Sequence, residues 1–195
     1  DFDIDAKDEN GATALHNAAA AGEAAGGSLL VECDADVNCV DKEGNTPLIL
    51  AGINDKRLVA SMLLWGGADR QLVNAKGNTA LHEAAIKGSH DVSWLIVENG
   101  GDDTVLIKNA DGKTPVELAH ISGNQELIEL LEKTETEVKG AAAKVAAQDA
   151  YDGRRRDAPR GAVDAAAPPL GEGRGSTPGG RAPTGLHLGP QNPTL

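Results

Sequence analysis

The chain has 195 residues, a formal net charge of −12, and only 2% aromatic against 40% hydrophobic side chains. So acidic a chain is poorly suited to neutralising a phosphate backbone, which argues against nucleic acid as its partner, and no apolar run reaches the ~20 residues of a membrane-spanning helix. The scarcity of large aromatics fits thin layers of leucine and alanine better than one thick globular core.

Residues 1–7 read as the end of a preceding unit, because Asp3-Ile4-Asp5 parallels Asp36-Val37-Asn38 further along. From there the chain repeats itself. Gly11, Gly44, Gly77 and Gly112 stand 33, 33 and 35 residues apart, and each is followed two positions later by Thr13, Thr46, Thr79 or Thr114. A fixed period of this size marks a stacked repeat array. In each unit a run of turn formers ends in the glycine, which accepts the positive φ of a tight turn. The threonine is placed to cap a helix, and Pro47 and Pro115 occupy the first helical position, where a missing amide costs little. Leu15, Leu48, Leu81 and Val116, with Ala18, Ala51, Ala84 and Ala119 three residues on, give that helix one apolar face. Each first helix is expected to end near Gly22, Asp55, Gly88 or Gly123. A second helix follows through Leu29-Leu30-Val31, Met62-Leu63-Leu64, Leu95-Ile96-Val97 or Leu130-Leu131, before a loop such as Gly67-Ala68-Asp69.

The units are accordingly 8–40, 41–73, 74–108 and 109–138, with a tail over 139–195. Three departures from regularity carry expectations. Gly26 and Gly27 fall inside the second helix of the first unit, where each costs roughly 0.8–1 kcal/mol relative to alanine, so this helix is expected to be the weakest. Two extra residues near Thr104-Val105-Leu106-Ile107 should make the following loop protrude. The last unit presents Glu126, Glu129, Glu132 and Lys133, the solvated outer face that a terminal repeat needs. Beyond it, Lys133–Tyr151 could lengthen the last helix, although Gly140 argues against it. Residues 152–195 are rich in Gly, Pro, Ala and Arg, and their composition predicts disorder.

Thr13-Ala14-Leu15-His16, Thr46-Pro47-Leu48, Thr79-Ala80-Leu81-His82 and Thr114-Pro115-Val116, with the Gly-Ala-Asp loop, resemble the ankyrin repeat family over roughly residues 1–132. The resemblance implies an all-α solenoid of antiparallel helix pairs with projecting hairpin loops. It also implies a non-catalytic interaction module, a scaffold or adaptor binding a protein on its concave face and hairpin tips. By that resemblance the contact candidates are Glu9, Asn10 and Ala12; Lys42, Glu43 and Asn45; Ala75, Lys76 and Asn78; and Ala110, Asp111 and Lys113. On the first helices they are Ala20 and Ala21, Ile53 and Asn54, Ile86 and Lys87, and Ile121 and Ser122. Ile53, Ile86 and Ile121 recur at one equivalent position and predict an exposed aliphatic stripe. Gly11, Thr13, His16, Gly44, Thr46, Gly77, Thr79, His82, Gly112 and Thr114 are expected to be structural. In the family the histidine bonds backbone and ties adjacent hairpins together. Asn38 stands where asparaginyl hydroxylases modify some members.

Residues 1–132 hold 23 acidic and 9 basic side chains, a balance of −14 that favours basic or polar protein partners. Cys33 and Cys39 have no second pair to complete a metal site, and no two histidines have zinc spacing. No phosphate loop, paired-carboxylate motif or nucleophile elbow is present. The expectations are therefore no enzyme, no metal, no cofactor, a monomer, and a cytoplasmic or nuclear setting. Trp65 and Trp94 should pack on the outer helices, with a partner anchor as the sharper alternative. His90 and His120 should lie on the surface. Arg154-Arg155-Arg156 with Arg160 is a solvated basic cluster or a localisation signal, Thr177-Pro178 a candidate phosphorylation site, and His187 a tail residue. The interrupted start keeps a second function open: a regulatory segment of a larger enzyme, channel or receptor.

Overall fold

In the computed structural model, residues 3–157 are described. Among the described residues all regular structure is helical: α1 Ala14–Ala21, α2 Ala24–Glu32, α3 Pro47–Ile53, α4 Arg57–Trp65, α5 Ala80–Lys87, α6 His90–Ile96, α7 Pro115–Ser122 and α8 Gln125–Asp157. Residues 1–152 form one compact unit, with a second beginning at Gly153. The first helices α1, α3, α5 and α7 pack on one another in chain order, while α2, α4 and α6 form the second row. Leu15, Leu48, Leu81 and Val116 each fill one layer of the core, and Val59, Leu63, Val92, Ile96, Leu127 and Leu131 close it from the second row.

The threonine caps hold as local chemistry requires. Thr46, Thr79 and Thr114 accept the amides of Ile49, His82 and Glu117, and Pro47 and Pro115 start their helices. The amides of Thr13 and Thr79 donate back to Nδ1 of His16 and His82, at 3.1 and 3.2 Å. That leaves the proton on Nε2, which donates to the carbonyl of Asn45 at 2.9 Å and of Lys113 at 3.2 Å. Each imidazole thus joins its own helix start to the hairpin of the next unit. Helix ends follow their residues too: Gly22, Gly88 and Gly123 are left-handed, and Asp55 takes φ 51° where the third helix stops.

Close approach depends on small residues. A Cβ at Gly52 would lie 2.9 Å from the carbonyl oxygen of Ala80, so α3 and α5 meet through backbone. Helix α2 forms in spite of its paired glycines, and Gly27 is the one residue it buries completely. A Cβ there would lie 2.5 Å from Cε of Met62, so this glycine makes room for α4, whereas a Cβ at Gly26 would meet nothing nearer than Glu23 Cβ at 4.0 Å.

Three expectations need correction. The two-residue insertion does not protrude. Val97–Gly101 and Asp102–Leu106 coil into short helical turns, with Thr104 and Val105 fully buried. Gly100 supplies φ 83°, and Gly101 leaves no space for a Cβ against Ile96, so the chain turns tightly enough to drive Val105 into the core. Gly140 does not end the last helix. It lies within the 33 residues of α8, roughly 50 Å of helix at 1.5 Å per residue, and the end of α8 at Asp157 places 139–157 in helix rather than tail. Trp65 does not pack on the second row: it is 85% exposed. Trp94 is partly covered, with the Arg57 guanidinium 5.8 Å from its ring centroid. His90 and His120 lie beside Asp91 and Glu132, at 3.6 and 3.2 Å. The disorder expected beyond residue 157, Arg160, Thr177-Pro178 and His187 lie outside the described residues.

Candidate partner-binding groove

The hairpins before the first helices share one construction. The side-chain Oδ1 of Asp8, Asp41, Asn74 and Asn109 accepts the amides two and four residues on, at 2.8–3.1 Å. The same four residues donate their own amides to the carbonyls of Ala12, Asn45, Asn78 and Lys113. Successive hairpins are then joined edge to edge, with Lys42 N donating to Asn10 O, Ala75 N to Glu43 O and Ala110 N to Lys76 O. Gly11, Gly44, Gly77 and Gly112 sit at φ 72–79° where these hairpins turn. A Cβ at Gly77 would be 2.6 Å from the amide nitrogen of Ala110. The glycine is therefore required both by the turn and by the neighbouring hairpin.

Beneath the hairpins runs a buried polar chain. Asn109 Nδ2 donates to Asn78 Oδ1 at 2.8 Å, and Asn78 Nδ2 to Glu83 Oε1 at 2.8 Å. Asn74 Nδ2 lies 2.9 Å from the same carboxylate oxygen and 3.1 Å from Asn45 Oδ1. Asn45 Nδ2 ends the chain on Asp41 and Glu43. Glu83, only 6% exposed, is thus held on the first turn of α5 by two neutral amides. Charge-assisted bonds of this kind let a carboxylate stay buried without a cation.

Between the hairpins and the first helices lies a groove. One stretch of about 510 Å³ is lined by Lys42, Glu43, Asn45, Ile53, Asn74, Ala75, Lys76, Glu83 and Lys87. A second, of about 370 Å³, is lined by Lys76, Asn78, Glu83, Ile86, Lys87, Asn109, Ala110, Asp111 and Leu118. Lys76, Glu83 and Lys87 belong to both. A third stretch of about 220 Å³ continues past Lys42, Glu43 and Asn45 to Asn10, Asp41 and Leu50.

The contact candidates are distributed unevenly. Glu9, Asn10, Lys42, Glu43, Ala75, Lys76, Ala110, Asp111 and Lys113 are exposed along the hairpins, and Ala12 is half-buried. Asn45 and Asn78 are each 3% exposed, because their amides are engaged in the polar chain, and they form the floor of the groove. Asn54 is exposed but ties its side-chain amide to Leu50 O, capping α3. The aliphatic stripe is graded: Ile53 is half-buried against the core, Ile86 is 37% and Ile121 67% exposed. Ile53 sinks because it lies between two layers, whereas Ile121 belongs to the last first-row helix. Glu83, Asn74 and Asn109 were not singled out from sequence. Their recurring Asx position at the hairpin start, with an acidic residue directly after the capping histidine, was the available signal.

Other candidate chemistry is occupied. Cys39 Sγ lies 3.6 Å from His16 Nδ1, but that nitrogen already accepts the Thr13 amide. Burial also pushes the Cys39 thiol up, opposed by a hydrogen bond from Thr13, so no activated thiolate is offered. Asn38 accepts the Asp69 amide on Oδ1 at 2.8 Å, one step of a loop ladder that Asp5 begins by accepting the Asp36 amide. Among the described residues no group of three or more His, Cys, Asp or Glu could hold a metal, and no helix is long and apolar enough to cross a membrane.

The family model for ankyrin repeats (3 copies) matches residues 1–69 and 53–140. Comparison with curated proteins gives no match.

Proposed function

Since this chain belongs to the ankyrin repeat family, we propose that it is a non-catalytic scaffold or adaptor that binds a protein partner in the groove between its hairpins and first helices. Ankyrin repeats are generally protein–protein interaction modules and typically non-catalytic. The observation that carries the finer reading is the continuity of the groove. Its three stretches share walls at Lys42, Glu43, Asn45, Lys76, Glu83 and Lys87, so one extended surface spans several units. The hairpins that form its rim are fixed by Asx turns and inter-hairpin amide bonds. A rigid rim avoids the ordering cost that a mobile loop incurs on binding.

Partner capture by the full chain tests this reading. Ile86→Asp and Ile86→Lys should each weaken capture of the same partner at least tenfold with unchanged helical circular dichroism, one anchor buried on binding being worth more than 1.4 kcal/mol. Trp65→Ala, on α4, should leave it intact. Loss with Trp65→Ala and retention with the isoleucine variants would move the interface to the second row of helices.

A further inference from the structure

We propose that the groove selects an extended peptide segment in which a single carboxylate is flanked on both sides by aliphatic side chains. This rests on the groove being the partner surface and adds the chemistry of what enters it. The net charge of the array points the other way, toward a basic partner, but local complementarity at the centre of the groove depends on which charged atoms there still have hydrogen-bonding capacity to offer a ligand. Asp41 already accepts the Glu43 and Asn45 amides, Glu43 accepts Asn45 Nδ2, and both line the third stretch, away from the centre of the groove. Lys42 donates its ammonium to the carbonyl of Glu9. Glu83 is buried beneath two asparagine amides. Asp111 lines only the second stretch.

Lining both stretches beside the single carboxylate of Glu83 are two cations, Lys76 and Lys87. Neither ammonium makes an ion pair or hydrogen bond among the described residues. Lys87 is four residues from Glu83 on α5, the spacing at which such a pair ordinarily meets. Asn74 and Asn78 instead hold the Glu83 carboxylate toward the hairpin base, and Lys87 is left free. Both amides go to Oε1 of Glu83, and no buried side-chain nitrogen or oxygen among the described residues lacks a partner. Oε2 therefore remains open to the groove as an acceptor.

The order of groups along the groove is Ile53 in the first stretch, then the shared Lys76, Glu83 and Lys87, then Ile86 in the second. An extended segment matches this order. Its acidic side chain accepts from Lys76 and Lys87, a backbone N–H donates to Glu83 Oε2, and the aliphatic side chains two residues away on either side, which share its face, cover Ile53 and Ile86. A basic side chain at the centre would meet two unpaired ammonium groups against the one carboxylate of Glu83, which already accepts two asparagine amides.

Fluorescence polarisation with the full chain and three labelled, otherwise identical nonapeptides tests this; their centres are Leu-Ser-Glu-Ser-Leu, Leu-Ser-Gln-Ser-Leu or Leu-Ser-Lys-Ser-Leu, called Leu-Glu-Leu, Leu-Gln-Leu and Leu-Lys-Leu after the alternate residues that share one face of an extended chain. The Leu-Glu-Leu peptide should bind roughly tenfold tighter than the Leu-Gln-Leu peptide, the scale of one charge-assisted hydrogen bond, and this margin should shrink as salt rises. Lys76→Glu with Lys87→Glu, both exposed, should reverse the order in favour of Leu-Lys-Leu, with circular dichroism checking the fold because Lys87→Glu sets a like charge four residues from Glu83. Equal affinities, no binding of any peptide, or a preference for Leu-Lys-Leu by the unaltered chain would overturn the proposal. If Leu-Lys-Leu is preferred and Ile86→Asp abolishes its binding, the groove stands and only the acidic assignment falls. If Ile86→Asp leaves every bound peptide unaffected, the groove reading itself fails.

Discussion

Replacing Glu83 separates the two things its carboxylate does. Glu83→Ala leaves the Nδ2 groups of Asn74 and Asn78 without the acceptor that each reaches at 2.8–2.9 Å. Those asparagines are 8% and 3% exposed, so water reaches them only through the groove. A buried donor left unsatisfied costs about 1–3 kcal/mol. Asn74 keeps its contact with Asn45 Oδ1 at 3.1 Å, which places it at the low end of that range. The expected loss for Glu83→Ala is therefore about 2–4 kcal/mol in all. Glu83→Gln keeps an acceptor oxygen of the same reach and loses only the charge assistance, so it should cost about 1 kcal/mol or less. Urea denaturation followed by circular dichroism measures both differences. If Glu83→Ala costs under about 0.5 kcal/mol, or Glu83→Gln costs as much as Glu83→Ala, the polar chain under the hairpins is not a structural element.

Three further perturbations probe other parts of the account. Gly26→Ala should raise stability by about 0.8–1 kcal/mol, because its nearest neighbour is 4.0 Å away and alanine is the better helix former. Gly52→Ala should instead lower stability by about 1–3 kcal/mol, since its Cβ would stand 2.9 Å from Ala80 O; thermal melts of both variants check the contrast, and a stabilising Gly52→Ala would contradict the α3–α5 contact. Acid should weaken the fold through His82, whose burial holds its pKa below the usual 6.5, with the Lys113 carbonyl partly opposing the shift. The folded state then binds the proton less readily than the unfolded chain, so this contribution is intact above pH 6.5 and is lost as pH falls through the folded-state pKa. His82→Gln should flatten that part of a urea-midpoint-versus-pH curve, and an unchanged slope would show that this imidazole is not the titrating group.

Much of the fold was legible because its signals are local. A threonine cap, a proline at the first helical position and a glycine at positive φ each act within a few residues, and all recur at one period. The histidine tie was legible only by resemblance, since its acceptor lies 29 or 31 residues away. The features that escaped the sequence depend on packing between units. Val105 reads as part of a loop insertion and becomes core only because Gly100 and Gly101 permit a tight turn. Asn45 and Asn78 read as hairpin contact residues, and become floor once Asn74, Asn109 and Glu83 converge on them. Trp65 reads as packing material and stands exposed because nothing in the neighbouring layer reaches it. Gly140 is a weak helix residue in isolation, yet it lies in a helix that starts on a well-packed turn at Leu127 and Leu131.

The central claim is that the groove between hairpins and first helices is the partner surface. Amide hydrogen exchange of the full chain, with and without its captured partner, tests it most directly. The account predicts new protection at the hairpin amides of residues 42–45, 75–78 and 110–113 and along α5, with α2 and α4 unchanged. Protection confined to α4 and α6, around Trp65 and Trp94, with the hairpins exchanging as in the free chain, would contradict it.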